Sequence, residues 1–331
     1  MKAKMKAKTE AKTKKRKQIL ALSLAALLAI ALFASCGGAG GGSGATTTAQ
    51  AATTTAAATE TTTAATTAQA ATAAAQANGG AATDTRLDKI LSAGEIVVAT
   101  SPDFAPMEFI DDRKSGQDQY VGTDPWFAKY IADELGVKLK IEAMDFGALQ
   151  AAISTGSVDL AMSGLARTDE RAESLELSTF YNITTDNGQG LLVLKSTLDQ
   201  YQTADDFKGK TVAVQSASLQ YNLLTEQLPD AIPELVTNIN DGVMMLLSNK
   251  VDAVGVAGTN GLTIIENYSD LAMAGWKYDY KSQGNVIAMT KGETSLCARI
   301  NEIIEKANSE DKFNTWLKEG EALAKEIGWE N

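Results

Sequence analysis

From Thr85 onward, short runs rich in β-branched residues alternate with stretches whose apolar residues recur at helical spacing, and this alternation predicts an α/β fold. EIVVAT (Glu95 to Thr100) reads as a strand. Asp124-Pro125 reads as the cap of a helix in which Phe127, Tyr130, Ile131 and Leu135 share a face, with Gly136 ending it. The strand VKLKIEA, a helix from Phe146 to Thr155 capped by Asp145, and the strand VDLAM follow. A second half repeats the logic with TVAV (Thr211 to Val214), a helix opening at Ser218, and VDAVGV (Val251 to Val256). Cys297 shares helical spacing with Ile300 and Ile304, which predicts a buried apolar filler rather than a reactive thiol.

Before Thr85 the pattern is of another kind. Residues 1 to 17, ending in the basic run Lys14 to Lys17, precede an apolar run from Ile19 to Phe33 broken only by Ser23, which is short for a membrane-spanning helix. Phe33-Ala34-Ser35-Cys36 followed by Gly37 and Gly38 resembles the lipobox of bacterial lipoproteins, with Phe33 where Leu is usual and Leu32 one position earlier. The resemblance implies cleavage after Ser35 and a diacylated thiol on Cys36. Residues 37 to 84 are nearly all Ala, Thr, Gly, Gln and Ser; with no large apolar side chains to bury, they read as a disordered spacer between anchor and body.

Charge and composition then narrow the chemistry. The chain of 331 residues holds 41 acids, 30 bases and no histidine. Nine of the bases and only Glu10 among the acids lie in the first 35 residues, so the remainder has 21 bases against 40 acids, a formal charge of −19. So acidic a body repels phosphate backbones, and nucleic acid is not an expected partner. Without histidine there is no Ser/His/Asp or Cys/His triad and no HExxH zinc helix, and two cysteines make neither a four-cysteine zinc site nor a disulfide framework. No metal or cofactor is expected. Gly209-Lys210-Thr211 is a weak likeness to a P-loop, with an acidic pair ahead of it.

The ordered set of segments resembles the extracellular solute-binding proteins of polar amino-acid ABC importers, the group containing the glutamine- and histidine-binding proteins. IVVATSPDFAPMEF, YVGTDPWFAKYIADELGV and IEAMDFGALQAAISTGSVDLAMSGLARTDERAE match the first lobe, DFKGKTVAVQSASLQ and NKVDAVGV the second, and QGNVIAMTKGETSLCARINEIIEKA the return to the first. The resemblance implies two α/β lobes joined by two crossover strands, a type II periplasmic-binding-protein-like fold. Lobe 1 would comprise residues 86 to 186 plus 283 to 331 and lobe 2 residues 187 to 282, with crossovers near Thr185 to Gly190 and Tyr278 to Gln283.

It also implies site residues. In the run Ser163-Gly164-Leu165-Ala166-Arg167-Thr168-Asp169-Glu170-Arg171, backbone amides and the matched Arg171 would grip a ligand carboxylate, a task suited to a guanidinium fork. Phe104 and Phe146 match aromatic walls, and Ser218 a ligand-facing helix cap. Three departures change the picture: Ala166 replaces a hydroxyl residue, and Ala257 and Ser101 stand where relatives place acids for the ligand ammonium. Asp103 could compensate for those acids, while Trp126 replaces a family acid on the first helix and is expected to pack. The implied protein is a lipid-anchored, monomeric receptor on the outer face of the cytoplasmic membrane. It would hand a carboxylate-bearing solute, an amino acid that is not a Lys- or Arg-like dication, to a permease and its ATPase. The alternatives are a dehydratase on the same fold with Asp103 or Glu108 as general acid, and a stalked adhesin or sensor ectodomain.

Overall fold

A computed structural model describes residues 85–182 and 188–328. The export signal, Cys36, the spacer and the first half of the first expected crossover lie outside the described residues. Helix α1 (Arg86–Ala93) leads into strand β1 (Glu95–Thr100), followed by β2 (Asp103–Phe104), β3 (Glu108–Ile110) and β4 (Tyr120–Val121). Next come α2 (Thr123–Leu135), β5 (Lys138–Ala143), α3 (Phe146–Thr155), β6 (Leu160–Ala161), α4 (Asp169–Ser174) and β7 (Leu175–Leu177). The second half runs β8 (Gln189–Leu194), β9 (Thr211–Gln215), α5 (Leu219–Gln227), β10 (Ile232–Val236), α6 (Ile239–Leu247), β11 (Ala253–Ala257), α7 (Gly258–Asn267) and β12 (Leu271–Lys277). Strand β13 (Ala288–Thr290) and helices α8 (Thr294–Ser309) and α9 (Lys312–Ile327) complete it.

Two five-stranded sheets define two lobes. The first has the order β5-β1-β6-β13-β7, with β5, β1 and β6 parallel and β13 antiparallel to both its neighbours. The second has the order β10-β9-β11-β8-β12, its first three strands parallel. The chain leaves the first sheet after β7, enters the second at β8, and returns between β12 and β13. Central strands covered on both faces need continuous apolar runs rather than alternation, and Ala253 to Val256 of β11 are all buried. One face of the second sheet packs Leu191, Val212, Val214 and Leu224, the other Leu192, Val243, Val254 and Ile264. In lobe 1, Ile96, Val98, Phe127, Ile131, Ile300 and Ile304 share a core.

Several local expectations change. Asp124 is not the cap of α2: Gly122 holds that position at φ 111°, and Asp124 sits in the first turn, buried. VDLAM shortens to a two-residue strand because the Asp159 carboxylate accepts from the Val97 amide at 2.7 Å and takes a ladder position. Asp145 and Ser218 do cap their helices, through Ala148 N and Tyr221 N. Cys297 is buried on α8 among apolar neighbours, and Trp126 packs against the second-lobe core. The weak P-loop likeness disappears. Gly209 turns into a strand rather than a helix, and Lys210 pairs with Asp252 at 3.3 Å.

A third, small antiparallel sheet, β2-β3-β4, lies between the lobes. Its Ala105, Phe109 and Val121, with Ala324 of α9, belong to the same apolar cluster as the second-lobe residues Val243, Val256 and Ile264. The lobes therefore meet through a dry surface next to the cleft.

Candidate ligand-binding cleft

In an open α/β sheet the carboxyl ends of parallel strands meet the N-termini of the following helices, where free amides and positive dipole ends collect. Both lobes present that edge to each other. From lobe 1 come Asp103 and Phe104 after β1, Phe146 at the start of α3, and the loop Ser163 to Arg171 after β6. From lobe 2 come Gln189 at the start of β8, Gln215 at the end of β9, Ser218 and Gln220 at the start of α5, and Ala257 at the end of β11. They line one small cleft between the lobes. A neighbouring space bordered by Asn182, Asn260 and Tyr280 shares Phe104, Gly164, Ala166, Gln189 and Ala257 with it, so the two form one cleft.

Nine of the ten ligand residues named from sequence line this cavity, namely Asp103, Phe104, Phe146, Ser163, Gly164, Ala166, Arg171, Ser218 and Ala257. Ser101 lies one layer behind, its hydroxyl donating to Asp103 Oδ1 at 2.8 Å. The sequence reading left out Gln189, Gln215 and Gln220 and named Glu108 only as a rival enzyme's acid. The glutamines share one trait that sequence does display: each sits at or beside the mouth-side end of a second-lobe strand or helix. Gln220 Nε2 donates to Gln189 Oε1 at 2.7 Å, an amide pair across the second-lobe wall.

Arg171 is 6% exposed, and its hydrogen-bond partners are all neutral. Nη1 donates to Ala166 O at 2.7 Å, Nη2 to Ala217 O at 3.2 Å and Nε to Gln150 Oε1 at 3.3 Å, while the guanidinium carbon lies 5.4 Å from the centre of the Phe146 ring. Burial brings its pKa down to about 10, so it remains charged at neutral pH. A buried cation whose hydrogen bonds all go to carbonyl oxygens, with Glu170 acting on it only through space, can take a further anion.

The loop that carries it is braced from behind by acids. Ser163 Oγ accepts from the Ser101 amide at 3.0 Å and donates to Glu108 Oε1 at 2.8 Å. The Gly164 amide donates to Asp124 Oδ2 at 2.8 Å, so this amide is engaged within the loop's own support. Glu108 and Asp124 are fully buried neighbours. Burial, then the Asp124 charge, hold the Glu108 carboxyl well above the usual carboxylate range, and burial pushes Asp124 up to about 6. Glu108 Oε2 has no hydrogen-bond partner. Among the described residues, no cluster of acids, histidines or cysteines has the makings of a metal site.

Two α/β lobes that close strand-end edges over one small, polar cavity define a bilobed solute-binding protein. The chain belongs to the bacterial extracellular solute-binding proteins, family 3, whose model matches residues 96–319. It is 33% identical over 232 residues to the arginine-binding extracellular protein ArtP of Bacillus subtilis, covering 69% of this chain and 81% of that one. It resembles the structure of the amino acid ABC transporter substrate-binding protein AbpA of Streptococcus pneumoniae bound to L-arginine, with a TM-score of 0.67 and 31% identity over 72% of this chain and 98% of that one. A third likeness, with a TM-score of 0.63 and 25% identity over 70% of this chain and 98% of that one, is to an ancestral amino-acid-binding protein described as a precursor of cyclohexadienyl dehydratase.

Proposed function

We propose that this chain is the exported, lipid-anchored receptor of an amino-acid ABC importer, that it works as a monomer without cofactor or chemical turnover, and that its solute is an amino acid or related carboxylate with an uncharged side chain. The observation that carries the reading is Arg171, a buried guanidinium facing the cleft whose hydrogen bonds go only to neutral acceptors. A ligand carboxylate supplies the missing anion, and Phe104 and Phe146 bracket the apolar part. Closure of the lobes on the ligand gives the permease a form that differs from the empty one. Cys36 would carry the lipid that keeps the receptor at the outer face of the membrane.

The uncharged side chain follows from the acids. Ser101 and Ala257 offer no negative charge, Asp103 has three donors already, and burial with the neighbouring Asp124 charge holds the Glu108 carboxyl well above the usual carboxylate range. The named relatives favour the opposite reading, since ArtP and AbpA are described with arginine. A thermal-shift screen of the twenty amino acids and simple carboxylates decides between them, because saturating ligand stabilises by a few kcal/mol. Neutral amino acids should raise the melting temperature most. Largest stabilisation by arginine or lysine refutes the uncharged class, and no response to any carboxylate refutes the receptor reading. A dehydratase is favoured only by the third likeness together with Glu108 in the cleft wall, whose carboxyl is held well above the usual range. Turnover of prephenate or arogenate by the purified protein would establish it.

A further inference from the structure

Asp103 belongs to lobe 1, yet most of its hydrogen bonds come from lobe 2. Its Oδ2 accepts from Gln215 Nε2 at 2.9 Å and from the Ile239 amide at 2.9 Å, the first amide of α6, while its Oδ1 takes the Ser101 hydroxyl of its own lobe. The residue is 4% exposed. We infer that Asp103 is a latch for lobe closure: its carboxylate docks on the N-terminus of α6 and on Gln215, and so favours the closed form without needing to touch the solute. The inference rests on the lobe-closing receptor reading above, but not on which solute is bound.

The physical case starts with water. When the lobes part, Asp103 faces solvent; when they meet, its hydration is lost and must be replaced. Gln215 and the α6 amide do this from two separate second-lobe elements, one of them with a helix dipole aligned toward the charge. Hydrogen bonds to an ionised acceptor are roughly twice as strong as neutral ones. Three other polar ties across the lobes have carbonyl acceptors: Asn260 Nδ2 to Ala105 O at 2.9 Å, and Gln150 Nε2 and Arg171 Nη2 to Ala217 O at 3.1 and 3.2 Å. A further tie, the Lys325–Glu266 ion pair at 3.6 Å, joins two exposed side chains, so among these ties only Asp103 brings a buried carboxylate to the other lobe. It sits in β2 of the small sheet, next to the apolar surface where that sheet meets the second-lobe core, so the charge and the dry contact close together.

The test follows the closed fraction in solute-free protein, using nitroxides on Ser154→Cys and Glu226→Cys in the full chain with Cys36→Ala, Cys297 being buried. The unmutated latch should show a short-distance closed population. Asp103→Ala, which orphans two second-lobe donors, and Gln215→Leu, which strips a donor from a buried carboxylate, should each lower that population at least about fivefold. The double variant should lose less than the product of the two, because it removes both members of the pair. Should Asp103→Ala fail to fold, Gln215→Leu alone decides. The inference is overturned if the solute-free protein has no closed population, if Gln215→Leu keeps the original distribution, or if Asp103→Ala weakens amino-acid binding while leaving the solute-free distribution unchanged. That last outcome would make Asp103 a ligand contact.

Discussion

The Tyr181 hydroxyl donates to both oxygens of the Asp124 carboxylate, at 2.8 and 2.9 Å, with neither residue measurably open to solvent. Asp124 also holds the Gly164 amide and neighbours Glu108, so it links the core of lobe 1 to the ligand loop.

That position sets a pH dependence. Burial raises Asp124 from 3.8 to about 6, and it raises Asp103 and Glu108 in the same direction. Between the ordinary and raised values the native protein binds protons that the unfolded chain does not, so stability increases as pH falls from about 7 toward 4. Asp88, Asp111 and Asp206, whose carboxyls are held low by hydrogen bonds, lose their contribution only below that window. Urea unfolding should show stability rising by at least about 1 kcal/mol between pH 7 and pH 5, and Asp124→Asn should reduce the rise. A flat or falling profile would contradict the assignment.

Arg171→Ala should weaken solute binding by about 2 kcal/mol, roughly 30-fold, since it takes a charge-assisted partner from an enclosed carboxylate. Arg171→Lys should recover only part of that, because an ammonium keeps the charge but cannot span Ala166 O and Ala217 O as the fork does. Calorimetry with the strongest stabiliser from the amino-acid screen measures both. Equal affinities in all three proteins would place Arg171 in a purely structural role.

Much of this cleft was legible because local signals and topology agree there. Ser218 and Asp145 were readable as caps, and the capped helix starts are the positions that point into the cleft. Arg171 was legible through the loop that carries it. Asp124 was misread, because Asp-Pro at a helix start looks the same whether the carboxylate caps its own helix or is drawn to Tyr181, 57 residues away. The sequence reading of Asp103 as a stand-in for the missing acids left out its contacts across the lobes for the same reason. Its donors, Gln215 and Ile239, belong to the other lobe, and no local pattern reports a contact 112 or 136 residues distant.

Cys36 should be the mature N-terminus and carry two acyl chains. The basic, apolar and small-residue blocks precede it in the order that lipoprotein processing requires. Mass spectrometry of protein extracted from membranes should find a diacylated peptide beginning at Cys36, and Cys36→Ala should release the protein to the medium. An unmodified peptide spanning Ser35 and Cys36 in mature protein would refute it.

Gly164→Ala and Gly94→Ala separate backbone strain from site packing. Both glycines have positive φ, +52° and +67°, so each substitution costs about 1 kcal/mol from the left-handed backbone alone. At Gly94, which ends α1, an added Cβ meets nothing within 4 Å. At Gly164 it would lie 2.7 Å from Cε1 of Phe104, closer than two carbons can approach, and the ring is the part that must move. Gly164 is also tied to Asp124 by its amide, which leaves the loop little room to retreat. Gly94→Ala should therefore lower stability by about 1 kcal/mol and leave solute affinity unchanged. Gly164→Ala should lower stability by about 2–3 kcal/mol and weaken solute binding at least tenfold, because Phe104 is a wall of the cavity. Equal effects of the two substitutions on affinity would mean that the Phe104 ring is not part of the binding surface.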